Sequence, residues 1–254
     1  MLPATILLVG LLATSTGKET PTPGQGSVRI QEGLFDKTIQ RRVTMRFLLY
    51  LPNGYGRENV RWPIILYLHG AMGRGSDFEK MSWYPLPRLL REPGHDLPFV
   101  VLMPQCPLDD NWGDPEALLA LLDEVSASHA VDQDRVYLAG YSMGGTGALR
   151  LAFAHPERFA AVASMSGFAD PYWAPRLKAV PIWVFHGAKD NRVPPSESEQ
   201  MVAALKAEGA DVTLSLDPER GHSPPSDEEH LRLFDWFLSH RRGGQRPPTD
   251  ATRP

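Results

Sequence analysis

The chain alternates two hydrophobic rhythms. Short, β-rich apolar runs occur at Met45–Leu51 (MRFLLYL), Ile64–Leu68 (IILYL), Phe99–Met103 (FVVLM), Val136–Ala139 (VYLA), Ala160–Ser164 (AAVAS), Ile182–Phe185 (IWVF) and Val212–Leu216 (VTLSL). Ile64–Leu68 is continuously apolar, as a strand covered on both faces should be. Helical patterns lie between these runs, at Pro115–Ser128, Gly144–Ala154, Ser196–Glu208 and Asp227–Ser239. In the last, Leu231, Phe234, Phe237 and Leu238 recur at helical spacing and predict an apolar face. Pro115 suits the first turn of its helix, where a missing N–H costs nothing, and Ser226 is placed to cap the last one. Strands alternating with helices predict an α/β fold: a mostly parallel sheet with helices on both faces. In such sheets ligands bind at the carboxyl ends of the strands, so the chemistry belongs on the loops that follow them.

The ends read differently. Leu2–Ala13 (LPATILLVGLLA) is an apolar run of signal-peptide length, too short to span a bilayer securely, and small residues follow through Gly17. Residues 1–17 therefore predict export to a secreted or periplasmic location, with no stable membrane insertion after cleavage. Against this, the run has no Lys or Arg before it, and a buried N-terminal strand or short helix is the alternative. Residues 18–27 read as a linker, 28–240 as one folded domain, and 241–254 as a loose, Pro/Gly-rich tail.

Composition narrows the function. Twenty-six basic residues against thirty acidic give a net charge of −4, with no basic stripe for a nucleic-acid partner. The single cysteine, Cys106, excludes an internal disulfide and a Cys-based zinc cluster. It is expected to be a packed thiol. No acidic metal site and no G-x-x-x-x-G-K-[ST] stands out, so neither metal nor cofactor is expected. Proline is the oddity, 24 residues where about five per cent is usual. Nine of them, from Pro104 to Pro225, fall on loops after predicted strands, where proline stiffens the chain.

The chemistry sits on those same loops. After Val136–Ala139 comes Gly140-Tyr141-Ser142-Met143-Gly144-Gly145, a G-x-S-x-G between a strand and a helix. A serine on so sharp a turn needs neighbours without Cβ atoms, and it is held at a helix N-terminus that favours developing negative charge. Ser142 is the predicted nucleophile, and a serine needs a base. His222 lies C-terminal to it, one short loop after Val212–Leu216. His69 and His186, each before a glycine at a strand end, read as structural; His155 ends a helix; His95, His129, His230 and His240 fall in loops or on polar helix faces. An acid must then fix the imidazole tautomer. Asp190, on the loop after Ile182–Phe185, leads, with Asp170 as its rival. The oxyanion donors are placed at the N–H of Met143, next to the nucleophile, and at Ala71 in the glycine-rich loop His69–Gly75.

The combination LHG…GYSMGG…HGAKDNRVP…GH, from about Leu49 to His240, resembles the α/β-hydrolase superfamily, and within it the lid-less phospholipase/carboxylesterase-like branch often called predicted peptidases. The resemblance implies the α/β-hydrolase fold without a cap domain, Ser142, Asp190 and His222 as triad, and Ala71 and Met143 as oxyanion donors. One departure concerns the pocket wall. Relatives often carry an acidic residue and aromatics after the histidine, where this chain has Ser223-Pro224-Pro225-Ser226.

About fifteen residues separate Ser164 from Val180, too few for a helical lid. Phe168, Tyr172 and Trp173 on that connection, with Trp112, are candidates for an aromatic wall, ordinary packing being the alternative. The expected activity is that of a serine carboxylesterase acting on a small-molecule or polymer-linked ester. A peptidase, or a non-catalytic binding module on the same fold, is the alternative.

Overall fold

A computed structural model describes residues 34, 36–38, 40–91 and 97–244. The apolar run Leu2–Ala13, the segment 18–27, His95 and the tail from residue 245 lie outside the described residues. The chain divides between Arg41 and Arg42, and every element named here belongs to the part from Arg42 onward.

Seven strands form one sheet: β1 (Arg46–Tyr50), β2 (Trp62–Leu68), β3 (Val100–Gln105), β4 (Val131–Tyr141), β5 (Ala161–Met165), β6 (Ile182–Gly187) and β7 (Val212–Asp217). Their order across the sheet is β1-β3-β2-β4-β5-β6-β7, with β1 antiparallel to β3 and every other pairing parallel. The helices are α1 (Glu79–Ser82), α2 (Pro85–Arg91), α3 (Pro115–Ser128), α4 (Met143–Ala154), α5 (Ala174–Leu177), α6 (Pro195–Ala207) and α7 (Asp227–Leu238). All seven strands and four helices expected from the hydrophobic pattern are present. β4 starts five residues earlier than its apolar run, because Val131 pairs with Trp62 across a register shift between Trp62 and Ile64. The polar stretch Asp132–Arg135 hides that start in the sequence.

The pleat of the strands divides the core. Along β2, Ile64, Leu66 and Leu68 join one apolar layer with Leu118 of α3, Leu149 of α4 and Met201 of α6. Ile65 and Tyr67 enter the other layer with Leu89 of α2 and Phe237 of α7. Each such fully buried aliphatic or aromatic side chain stabilises the fold by about 1.5–3 kcal/mol. Helix α3 starts where Asp114 accepts the Ala117 N–H at 3.1 Å with Pro115 behind it. Helix α7 opens on a capping box: Ser226 Oγ accepts the Glu229 N–H, and Glu229 accepts the Ser226 N–H at 2.6 Å.

Two expectations for α7 are corrected. Its buried face is His230, Leu233, Phe234 and Phe237, while Leu231 is 40% exposed. That i, i+3, i+4, i+7 stripe is the one a helix can press flat against a sheet. His230 is thus inside rather than on a polar face, its Nδ1 held by the Ser226 carbonyl at 2.9 Å. At the segment the sequence reads as a loose tail, Arg241 pairs with Asp132 and Asp134, both at 3.0 Å, and Arg242 pairs with Asp134 at 3.3 Å.

Strand order also places the site. From β2 the chain crosses to β3 on one side; from β4 it crosses to β5 on the other. The loops after β2 and β4 therefore diverge, leaving a crevice at the carboxyl ends of two neighbouring central strands. Those loops carry Ala71 and Ser142.

Candidate active site

Ser142 sits between β4 and α4 with φ 55° and ψ −117°, a backbone conformation strained for any residue with a Cβ. Its surroundings hold it there. The Ser142 N–H donates to the Met165 carbonyl at 2.7 Å, and its own carbonyl accepts the Thr146 N–H at 3.1 Å. The flanking glycines are sterically required. A Cβ on Gly144 would stand 1.9 Å from the Leu68 carbonyl oxygen, and one on Gly140 would stand 2.1 Å from the Gly144 oxygen.

The three residues predicted to act together are brought together. Ser142 Oγ lies 2.9 Å from His222 Nε2, and His222 Nδ1 lies 2.7 Å from Asp190 Oδ2. Nδ1 faces a carboxylate, so it carries the proton, and Nε2 is left to accept from the serine hydroxyl. Asp190 is buried, and its other oxygen accepts the backbone N–H groups of Arg192 (2.8 Å) and Val193 (3.0 Å). Burial works against its charge, but the Val193 N–H, the His222 ring and the Arg192 N–H together outweigh it and hold the carboxyl below its ordinary range. Its rival Asp170 is elsewhere occupied, accepting the Tyr172 N–H at 2.9 Å to cap a 3₁₀ turn.

His186 also reaches Asp190. Its Nε2 faces two acceptors, the Val193 carbonyl at 3.0 Å and Asp190 Oδ2 at 3.3 Å, so this nitrogen carries the proton. Its Nδ1 is paired with Ser198 Oγ at 2.7 Å. The structural reading of His186 therefore has a specific content: it supports the carboxylate from behind.

The loop after β2 is pinned by the end of β3. Gln105 Nε2 donates to the carbonyls of Gly73 (3.0 Å) and Asp77 (2.7 Å), and the Gly75 N–H donates to the Cys106 carbonyl at 2.9 Å. Ala71 opens a 3₁₀ turn and Met143 opens α4, so neither N–H has an acceptor within its own helical turn. Beneath the loop, His69 Nδ1 bonds the Gly70 carbonyl at 2.7 Å and Nε2 accepts the Cys106 N–H at 3.0 Å. Burial, with a smaller push from Arg74, lowers its pKa to about 4.

That depression has a sign for stability. Between the ordinary histidine value near 6.5 and about 4, the unfolded chain binds a proton that the folded chain refuses. Stability is thus full above pH 6.5 and falls as the pH drops towards 4, by on the order of 3 kcal/mol at this residue. Calorimetry from pH 7 to pH 4.5 should show Tm falling by roughly 5–10 °C. His69→Gln, which keeps one donor and one acceptor, should flatten that slope; an unchanged slope would remove His69 as its cause.

A cleft of about 310 Å³ opens at Ser142 and His222, lined further by Gly70, Ala71, Met72, Trp83, Tyr84, Tyr141, Arg192 and Pro224. The aromatic wall is therefore not the predicted one. Trp112 is 1% exposed, its indole N–H donating to the His69 carbonyl at 3.0 Å, which makes it a strut under the loop. Trp173 stacks on Phe153 at 4.8 Å, Tyr172 is 89% exposed, and neither these nor Phe168 lines the cleft. Tyr141 instead leans over the His222 ring at 5.5 Å, and Tyr84 meets Tyr141 at 6.1 Å. Burial, then the Asp190 charge, push the Tyr141 hydroxyl up to about 12, so it stays protonated. Tyr141 was visible in the sequence as the variable position before the serine; Trp83 and Tyr84 had no such signal.

The model of the Esterase family matches residues 116–213. Feruloyl esterase B of Neurospora crassa is 30% identical over 154 residues, covering 54% of this chain and 49% of that protein. Poly(3-hydroxyalkanoate) depolymerase C of Paucimonas lemoignei is 29% identical over 126 residues, covering 43% of this chain and 28% of that one. Among solved structures, a thermostable esterase superposes with a TM-score of 0.61 at 26% identity, over 79% of this chain and 60% of its own. The chain spans about half or less of the length of the curated relatives it matches. A shared sheet, a shared connectivity and these likenesses place the chain in the α/β-hydrolase superfamily.

Proposed function

We propose that the protein is an exported serine esterase that hydrolyses carboxylic esters through an acyl-enzyme. The relay Ser142–His222–Asp190 carries this reading, two short hydrogen bonds in the order that proton transfer needs. Ser142 Oγ attacks the ester carbonyl while its proton passes to His222 Nε2. Asp190 stabilises the imidazolium and keeps the ring in register. The N–H groups of Ala71 and Met143 receive the oxyanion of the tetrahedral intermediate. Collapse breaks the ester C–O bond, and His222 returns the proton to the leaving alcohol. Water then repeats the sequence on the acyl group, releasing the acid. The open cleft suits small esters, or esters borne on a polymer, and two of the relatives are named for such activities. Export rests on the apolar run Leu2–Ala13 alone.

A peptidase reading has support of its own, since a relative 27% identical over 158 residues is a dipeptidyl aminopeptidase of Pseudoxanthomonas mexicana. Protein recovered from outside its host's cytoplasm should carry a fluorophosphonate adduct on Ser142 and begin near Ala13–Gly17. It should turn over p-nitrophenyl acetate far faster than the matching anilide. An unlabelled Ser142 defeats the esterase, a faster anilide favours the peptidase, and an intact N-terminus defeats export.

A further inference from the structure

The cleft beside Ser142 contains a cation with no counter-ion among the described residues. Several cations elsewhere on the surface pair with acids, though not all do: Arg88 with Asp227 at 2.7 Å, Lys178 with Glu208 at 2.9 Å, and Arg220 with Glu229 at 2.6 Å. The chain carries more acids than bases, so such partners are plentiful. The guanidinium of Arg192 has no hydrogen bond or ion pair among the described residues, although it lines the cleft with Ser142 and His222. Asp190, two residues away, does not serve it. One Asp190 oxygen is taken by the backbone N–H groups of Arg192 and Val193, the other by His222 and His186. Those backbone bonds also fix where the Arg192 side chain starts, immediately beside the acid that orients the base.

The rest of the cleft is apolar or aromatic. Trp83 is 66% exposed and Met72 is 64% exposed, with Tyr84, Tyr141 and Pro224 behind them. A substrate that fits this wall brings an apolar body. A substrate that also satisfies Arg192 brings an anion, and a planar carboxylate matches the two-pronged donor geometry of a guanidinium better than that of an ammonium.

We propose that Arg192 is a substrate-binding residue and that the cleft selects esters carrying a free carboxylate on an apolar or aromatic body. The proposal rests on the reading of Ser142 as the nucleophile. Because Arg192 is exposed, the attraction is modest and screened by salt.

Two matched pairs test it. p-Nitrophenyl hexanoate against mono-p-nitrophenyl adipate places the carboxylate on the acyl side, and phenyl acetate against p-acetoxybenzoate places it on the alcohol side. In at least one pair, Arg192→Gln should lower kcat/KM for the charged member about fivefold more than for the neutral member, mainly through KM. Arg192→Lys should restore part of the loss. About 0.5 M salt, where the screening length is roughly 4 Å, should erase the difference between parent and variant. Equal effects on charged and neutral members of both pairs, or no effect on any, would overturn the proposal. Failure of the underlying reading looks different: the parent protein would hydrolyse none of the four esters and Ser142 would not take the fluorophosphonate.

Discussion

Ser142→Ala should give a folded protein that hydrolyses p-nitrophenyl acetate about 10⁴- to 10⁶-fold more slowly than the parent. The bonds that hold the turn are made by the backbone of residue 142, to Met165 and Thr146, and alanine keeps both. Alanine also occupies the positive φ at the same steric cost as serine, since each has one Cβ. What disappears is the hydroxyl, together with its bond to His222. The site is open, so water can take the freed place on Nε2 and no buried polar group is stranded. Thermal unfolding should therefore stay within a few degrees of the parent while turnover collapses. Undiminished hydrolysis by the folded variant would remove Ser142 from the reaction.

Asp190→Asn should cost about 10⁴-fold in kcat, for a reason peculiar to the contacts of this carboxylate. One side-chain oxygen must go on accepting the N–H groups of Arg192 and Val193, so the new amide oxygen stays there. The amide nitrogen then occupies the other position, facing His222 Nδ1 and His186 Nε2. It can only donate, so His222 is driven to the tautomer that carries its proton on Nε2. That tautomer cannot accept the proton of Ser142. The loss should be confined to kcat at neutral pH and should ease at alkaline pH, where hydroxide competes as base. A variant retaining a tenth of parental kcat would show that Asp190 does not set the tautomer.

The sequence disclosed the three side chains that the fold brings together better than the walls around them. Ser142, Asp190 and His222 follow β4, β6 and β7, and strand order alone carries those loops to one edge of the sheet. Their backbone positions were legible because each ends a strand with a strong apolar signature. Side-chain direction was not. Trp112 follows β3 on the same edge, but its φ of 62° sends the chain back and its ring ends under His69, 5.0 Å away. Phe168 and Tyr172 occupy the expected loop and project from it. Trp83 and Tyr84 carry no signal in the sequence because α1 and α2 hold four and seven residues, too few to display a helical period, and Pro85 and Pro87 interrupt what pattern there is. Tertiary contacts alone reveal them.

The division of labour across the sheet has a further consequence. Ser142 and the loop of Ala71 hang from β4 and β2, strands flanked on both sides. Asp190 and His222 hang from β6 and β7, and β7 is an edge strand, partly exposed, paired among the described residues with β6 alone. The loops of Asp190 and His222 are laced to one another, Ala188 N–H to the Asp217 carbonyl and Lys189 N–H to that of Arg220. Edges of a protein open at lower free energy than its centre. On the proposed reading catalysis depends on an edge of the sheet, and on warming the activity should be lost while the central strands are still closed.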